Sequence, residues 1–195
     1  MTDLGRRTPE ITVAGPAERG RVVDSLVAAF AADPVLTHLF PDPASYPRHA
    51  AAFFGHLFDK RVHRGTIWTI GRGASVAIWE PPVPPEPEPE PADPLAAQLP
   101  ADALARVRAY DAAVHAALPA GPFWYLGVLG THPDSAGRRW GHAVMRAGLT
   151  RAAADGLPAV LETSNPANVE VYRRAGWQVV REVAEPLPTW IMQQR

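Results

Sequence analysis

The stretch from Phe123 to Trp177 reads FWYLGVLGTHPDSAGRRWGHAVMRAGLTRAAADGLPAVLETSNPANVEVYRRAGW. Trp124–Thr131 clusters and alternates apolar residues as a strand does, and His132–Gly137 consists of turn residues. Gly141–Ala154 has an apolar helical face, and Ala159–Leu161 is a short apolar run that suits a buried parallel strand. The stretch therefore predicts a strand, a turn, a helix and a second strand.

The end of the same stretch predicts a second helix. Asn165-Pro166 is typical of an N-cap followed by proline at the first helical position, and Gly176 is typical of the residue that ends a helix. The order strand, turn, helix, strand, helix predicts a right-handed crossover. In such a unit, helix N-terminal amides and strand ends open onto one crevice that suits an anionic ligand.

The flanking sequence predicts further elements around this unit. We expect strands at Glu10–Ala14, Trp177–Val183 and Thr189–Met192, a hairpin of Thr66–Ile70 with Ala74–Trp79, and helices over about Ala17–Ala32, Val35–Phe40, Pro47–His63 and Leu95–Leu118. Residues 81–94 read PPVPPEPEPEPADP, which predicts an extended or mobile surface excursion. We expect residues 1–195 to form a single domain that carries this excursion.

Composition argues against several classes of protein. The formal net charge is −1 and there is no block of basic residues, so we expect neither nucleic acid nor an anionic membrane as a partner. No apolar run approaches the ~18 residues of a spanning helix, and the N-terminus lacks a secretion signal, so we expect a cytoplasmic protein. The absence of cysteine excludes disulfides, thiolate zinc sites and an acyl-cysteine intermediate.

Three histidines raise the question of a metal site. His49, His56 and His63 share one face of a predicted helix at seven-residue spacing. Because seven residues of helix span roughly 10.5 Å, no two of these side chains can bind one ion. We therefore expect a partly solvated histidine face and no metal.

These motifs resemble a known family. The chain resembles the GNAT superfamily of acetyl-CoA-dependent N-acetyltransferases in the order of its motifs. That order is a strand, His132-Pro133, Gly137–Gly141, a helix, Leu161–Asn165, Tyr172 and Gly176-Trp177. Within this superfamily the chain most resembles the puromycin N-acetyltransferase group, which Ala28–Pro34, Val76–Trp79 and Pro188–Met192 also match. The resemblance implies an α/β (α+β) GNAT fold. In that fold a mixed, mostly antiparallel twisted sheet splays at the acetyl-CoA site and has helices on both faces.

The resemblance also implies the residues that hold acetyl-CoA. The backbone of Leu129, Gly130 and Thr131 would pair with the pantetheine arm, and the pyrophosphate would meet the amides of Gly137, Arg138, Arg139, Trp140, Gly141, His142 and Ala143. Asn165 and Asn168 would contact the coenzyme, although Asn165 is equally explained as an N-cap. The family's phosphate-binding loop has a glycine in its middle, and when residues are counted from Pro133, Arg139 stands at that place. The loop pattern can also be aligned two residues later, starting at Arg138.

Two residues suit the chemistry of acetyl transfer. Tyr172, at the place of the family's catalytic tyrosine, would donate a proton to the leaving thiolate; the alternative is a core tyrosine. Glu162 follows a buried strand, where ligands of α/β proteins bind, and would attract an amine and accept its proton, directly or through water. The alternative is a carboxylate that bonds to nearby loop amides.

The resemblance, and their being large or charged residues near strand or helix ends, give as acceptor-side candidates Phe30, Asp33, His38, Trp79, Glu80 and Trp124. The alternative for each is an ordinary core or surface residue. The predicted reaction is acetylation of a primary amine of a small molecule, such as an aminonucleoside or another antibiotic-like amine, by direct transfer in a ternary complex. A protein or peptide amine is the alternative acceptor, and a weakly active coenzyme A-binding sensor is the alternative function. We expect a monomer or a homodimer.

Overall fold

The computed structural model describes residues 10–82 and 94–194. It contains seven strands: β1 Ile11–Val13, β2 Ile67–Ile70, β3 Ser75–Glu80, β4 Trp124–Thr131, β5 Ala159–Thr163, β6 Gln178–Val183 and β7 Thr189–Gln194. The helices are α1 Arg19–Ala29, α2 Pro34–Leu39, α3 Tyr46–Asp59, α4 Ala101–Ala117, α5 Trp140–Ala154 and α6 Pro166–Arg174. Most of the proline-rich excursion predicted at 81–94 lies outside the described residues.

The seven strands form one sheet in the order β1-β2-β3-β4-β5-β7-β6. Strands β4 and β5 run parallel, whereas the other neighbouring pairs run antiparallel. The connection between the two parallel strands contains α5, because the chain must cross back to the end of the sheet at which β4 began before β5 can run in the same direction. The prediction of a mixed, mostly antiparallel sheet is confirmed.

Strands β4 and β5 pair over only part of their length. Trp124, Tyr125 and Leu126 face Ala159–Leu161, after which β4 continues to Thr131 without pairing to β5. The register between β3 and β4 shifts at this point, so that Gly127 is an extra residue in β4. A bulge of this kind bends and twists its strand, which accounts for the parting of the two strands.

Helices cover both faces of the sheet. Side chains on one face pack against α1 to α4, and those on the other face pack against α5 and α6. Two glycines allow the helices to come close. A Cβ on Gly130 would lie 2.7 Å from Leu26 of α1, and one on Gly148 of α5 would lie 2.2 Å from the ring of Trp79.

Several helix ends differ from the prediction for reasons of backbone chemistry. The first helix ends at Ala29. Asp33 precedes proline and so avoids helical geometry, and its side chain caps the next helix. The third helix ends at Asp59, so His63 lies outside it and is exposed, whereas His49 is buried. Among residues 10–82 and 94–194 no group of side chains has the arrangement of a metal site. None of the helices there is long and apolar enough to cross a membrane.

Candidate active site

A cavity of about 300 Å³ opens where β4 and β5 part. Its walls are largely apolar and aromatic, and carboxyl and phenol groups point from several elements to the same space. The aromatic lining consists of Phe30, Phe53, Phe54, Tyr110, Tyr125 and Tyr172, and the acidic lining of Asp33, Glu80, Asp111 and Glu162. An apolar cavity with a few convergent polar groups is the usual form of a small-molecule site.

Glu162 lies at the carboxyl end of β5 and lines this cavity. The Tyr125 hydroxyl on β4 donates a hydrogen bond to Glu162 Oε2 and so holds the carboxyl in place. Burial raises the pKa of Glu162 to about 7, although the bond from Tyr125 opposes the rise. The pKa of Tyr125 itself is raised well above its usual value by burial and by the nearby carboxylate. Tyr125 therefore remains a donor, and Glu162 is able to exchange a proton near neutral pH.

Tyr172 reaches the same cavity from α6. Its ring packs edge-on against Trp177, with the ring centres 6.0 Å apart, and this contact orients the phenol. Burial, helped by the charge of Glu162, raises the pKa of Tyr172 to about 12. The hydroxyl therefore stays protonated at neutral pH and is available as a proton donor.

Phe30 and Asp33, two of the acceptor-side candidates, line the cavity. Asp33 Oδ1 accepts hydrogen bonds from the amides of Val35 and Leu36 at 2.9 and 3.3 Å. Burial raises the pKa of Asp33, and these two backbone bonds oppose the rise. The residue thus caps α2 and presents a carboxyl group to the cavity at the same time.

Three acceptor-side candidates, Trp79, Trp124 and His38, do not line the cavity. Trp79 is fully buried against Gly148 on the α5 face, because strand alternation points its side chain there. Trp124 faces the same side and donates from Nε1 to Asp155 at 2.9 Å. His38, half-buried on α2, is also outside the cavity lining.

The open edge of β4 offers backbone groups to a ligand. The amide of His132 donates to Ala74 of the segment before β3 at 2.8 Å. Because backbone groups alternate in an antiparallel ladder, those of Gly130 also point to β3, whereas those of Leu129 and Thr131 point into the gap. Two of the three predicted pantetheine contacts are therefore available. Gly130 instead leaves room for α1.

The loop before α5 presents free amides. The amides of residues 137–142 make no backbone hydrogen bond in the described structure, whereas the amide of Ala143 donates to Arg139 at 3.3 Å. Arg139 has φ +60°, a left-handed conformation that favours glycine. This matches the register in which Arg139 stands at the family's glycine. Arg138 lies over the Trp140 ring, 4.9 Å from its centre.

The two predicted asparagine contacts have different positions. The side chain of Asn165 accepts a hydrogen bond from the amide of Ala167 at 3.0 Å and so caps α6. Asn168 lies one helical turn further and lines the cavity. The structure thus assigns Asn165 the capping role that its place before Pro166 indicates.

Sequence reasoning missed Tyr110, Tyr125 and Asp111, which also line the cavity. A signal for Tyr110 was present, because it falls between Val107 and Val114 on the apolar face of the predicted helix. Tyr125 lies in an apolar strand, where a phenol that needs a hydrogen-bond partner is itself informative. Asp111 carried no such signal, since exposed helix positions usually hold charged residues.

Residues 78–177, just over half of the chain, match the family described as the acetyltransferase (GNAT) family. The chain belongs to the GNAT family. The match covers β4, the loop before α5, Glu162 and Tyr172, but not the residues of α2 and α3 that also line the cavity. GNAT proteins use acetyl-CoA.

Solved structures of GNAT proteins share this fold. A histone acetyltransferase HPA2 and related acetyltransferase of Corynebacterium glutamicum has a TM-score of 0.66 at 20% identity, with 96% of each chain covered. Arylalkylamine N-acetyltransferase 2 from Aedes aegypti has a TM-score of 0.66 at 10% identity, with 95% and 97% covered. The PaiA N-acetyltransferase from Thermoplasma acidophilum, in complex with coenzyme A, has a TM-score of 0.59 at 9% identity, with 95% of this chain and 98% of that chain covered.

Proposed function

We propose that this GNAT protein transfers the acetyl group of acetyl-CoA to a primary amine of a small molecule. The observation that carries the proposal is that Glu162 and Tyr172 line one cavity at the gap between β4 and β5. Acetyl-CoA supplies the activated acetyl group as a thioester. The residues of the chain hold the two substrates and move protons.

The proposed roles follow from the protonation states. Glu162, whose pKa is raised to about 7, accepts the proton that the amine loses as its nitrogen bonds to the thioester carbon. Tyr172, whose pKa is about 12, donates a proton to the sulfur as the carbon–sulfur bond breaks. Amides of the loop before α5 and the positive end of the helix dipole hold the pyrophosphate. The backbone of Leu129 and Thr131 pairs with the pantetheine arm.

Transfer is direct in this proposal. The chain contains no cysteine that could carry the acetyl group between the two substrates. The amine and the thioester must therefore be bound together. The cavity supports this arrangement because it reaches from Tyr172 on α6 to Phe30 and Asp33 on the opposite face of the sheet.

The aromatic walls favour an amine with an apolar or aromatic body, and the carboxyl groups of Asp33 and Glu162 attract its ammonium form. The Aedes aegypti neighbour is named for arylalkylamines, which agrees with such an acceptor. An aminonucleoside is the narrower proposal, supported by the resemblance to the puromycin N-acetyltransferase group.

The test measures thiol release from acetyl-CoA with a panel of amines: 2-phenylethylamine, L-phenylalaninamide, puromycin, spermidine and a lysine-containing peptide. Titration calorimetry measures acetyl-CoA binding in parallel. We expect binding, and turnover with aromatic small amines. Binding without turnover on any amine would favour the coenzyme A-binding sensor, turnover only with the peptide would favour a protein acceptor, and absence of binding would contradict the proposal.

A further inference from the structure

Tyr110 has a buried hydroxyl without a hydrogen-bond partner in residues 10–82 and 94–194. The residue lies on α4, is 6% exposed and lines the same cavity as Glu162 and Tyr172. Buried hydroxyls are nearly always bonded, because burial removes the water to which they would otherwise bond. Because this hydroxyl lies on the cavity, a ligand bound there would supply the missing partner.

The neighbouring hydroxyls do not supply the missing bond. Ser164 Oγ and Thr189 Oγ1 lie 2.7 Å apart, and Thr189 donates its proton to the carbonyl of Leu187 at 2.9 Å. In the hydrogen bond between these two hydroxyls, Ser164 is therefore the donor and Thr189 the acceptor. Both hydroxyls are near enough to Tyr110 to offset part of the rise that burial causes in its pKa, but neither has hydrogen-bond geometry with it. By hydrogen-bond geometry, the hydroxyl of Tyr110 therefore has no partner within the described residues.

Tyr110 is also close to the proposed reacting groups. Tyr110, Tyr125 and Glu162 line the same cavity, and the hydroxyl of Tyr125 donates a hydrogen bond to Glu162. Phe30 and Phe54, with ring centres 5.2 Å apart, contribute to the apolar wall of the same cavity. A ligand that bonds to Tyr110 therefore has its polar group near the amine and its apolar body on this wall.

We infer that Tyr110 is a specificity-determining residue that donates a hydrogen bond to a neutral oxygen of the acceptor, a carbonyl or hydroxyl close to the reacting amine. The inference rests on the proposed function, since it assigns the substrate of the same cavity. A neutral oxygen fits better than a carboxylate, because the four carboxyl groups of the lining outnumber its two strongly basic side chains, Lys60 and Arg61. The acceptor class is an apolar or aromatic primary amine that carries a neutral oxygen near its nitrogen.

The experiment compares wild type with Tyr110→Phe on two amines. L-Phenylalaninamide has a carbonyl beside the amine-bearing carbon, whereas 2-phenylethylamine has the same ring and no oxygen. For the amide we expect kcat/KM to fall roughly 10- to 50-fold, mainly through KM, because a buried partner is lost. For 2-phenylethylamine we expect a change of less than about twofold, since no bond is lost. Each amine is compared with itself, so their different basicities do not matter.

Thermal unfolding of the free protein separates this role from a structural one. Because Tyr110→Phe removes a buried hydroxyl without a partner, we expect its unfolding midpoint to rise by roughly 1–4 °C. The matched control is Tyr46→Phe, outside the cavity, whose hydroxyl donates to the carbonyl of Val27 at 3.0 Å. This control should have a lower midpoint and unchanged kinetics with both amines.

Three outcomes would overturn the inference: an equal loss with both amines, no loss with the amide, or a lower midpoint for Tyr110→Phe. In each of these cases acetylation of 2-phenylethylamine by wild type would leave the proposed function intact. Absence of thiol release with every amine would overturn the proposed function as well, so the two failures are distinguishable.

Discussion

Burial sets the protonation state of the residues in the cavity. Glu162 and Tyr172 both have raised pKa values, and in each case removal from water is the largest cause. The consequences differ because the ordinary values differ. A carboxyl group raised to about 7 changes its charge near neutral pH, whereas a phenol raised to about 12 remains protonated. One physical effect thus produces, in the same cavity, a carboxyl group that titrates near neutral pH and a phenol that stays protonated.

For Glu162→Gln we expect kcat/KM at pH 7 to fall roughly 100-fold or more, because an amide accepts no proton. Wild-type kcat/KM should rise with pH through about 7, where Glu162 loses its proton, and the variant should lack this limb. The matched control is Glu170→Gln, which removes an exposed carboxyl that pairs with Arg173 at 2.6 Å. The control should change kcat/KM by less than about twofold. Full activity of Glu162→Gln would leave the base unassigned.

The same carboxyl group should make stability depend on pH. Folding raises the pKa of Glu162 from 4.5 to about 7, so the folded state binds its proton more tightly than the unfolded state. Stability is therefore lost as pH rises from about 4.5 to 7. In urea unfolding, Glu162→Gln should gain about 1–3 kcal/mol relative to wild type at pH 8 and much less at pH 4.5. A gain that does not change with pH would contradict the raised pKa.

For Tyr172→Phe we expect kcat to fall roughly 10- to 100-fold, because the leaving thiolate loses its proton donor. The dissociation constant for acetyl-CoA, measured by calorimetry, should change less than about threefold, since the ring and its contact with Trp177 remain. Tyr46→Phe again serves as the control for loss of a tyrosine hydroxyl elsewhere. An unchanged kcat for Tyr172→Phe would remove this residue from its role.

At the level of elements, the loop before α5 combines two demands. Its amides must be free for an anion, and its backbone must turn sharply into the helix, which puts Arg139 at φ +60°. A non-glycine residue in this conformation carries strain of about 1 kcal/mol. The side chain that replaces glycine adds a positive charge at the same place. In the proposed function, the positive charge of Arg139 adds to the free main-chain amides of the same loop in holding phosphate.

Arg139→Gly should therefore raise the free energy of unfolding by up to about 1 kcal/mol, because the strain is relieved. The neighbouring Arg138→Gly is the control: it has no positive φ and loses its contact with the Trp140 ring, so it should be destabilised by about 0.5–1.5 kcal/mol. Chemical denaturation of both variants measures the difference. Equal destabilisation by both changes would show that Arg139 is not strained.

On the scale of the whole molecule, the gap between β4 and β5 connects the two faces of the sheet. Residues that line the cavity come from the α1 to α4 side, from α6 and from the strands between them. A ligand that enters this gap contacts elements from both halves of the chain. Binding should therefore stabilise the fold as a unit and not only the loop before α5.

Acetyl-CoA at about 100 times its dissociation constant should raise the unfolding midpoint by roughly 5–10 °C, through preferential binding to the folded state. ATP is the control, because it has the nucleotide and phosphates but lacks the pantetheine arm that the gap would hold. We expect a clearly smaller shift with ATP at the same concentration. An equal shift with both ligands would indicate that the phosphates alone bind.

Local signals in the sequence were sufficient for most elements. The strand predicted at Trp124–Thr131 is confirmed residue for residue, and Asn165 caps its helix as its place before Pro166 predicts. The helix predicted at Gly141–Ala154 begins one residue earlier. These features depend on periodicity, turn residues and capping, which act between residues a few positions apart.

The sequence by itself therefore determined the elements, the GNAT resemblance and the positions of Glu162 and Tyr172 at the ends of their elements. Only the tertiary structure decided which other side chains share the cavity, bringing Tyr110 and Tyr125 to it and turning Trp79 away. The physical reason is that residues far apart in the chain meet only when the elements pack. Side chains alternate between the faces of a strand, which turns Trp79 of β3 toward α5 and Tyr125 of β4 toward the opposite face, where Tyr110 of α4 joins it.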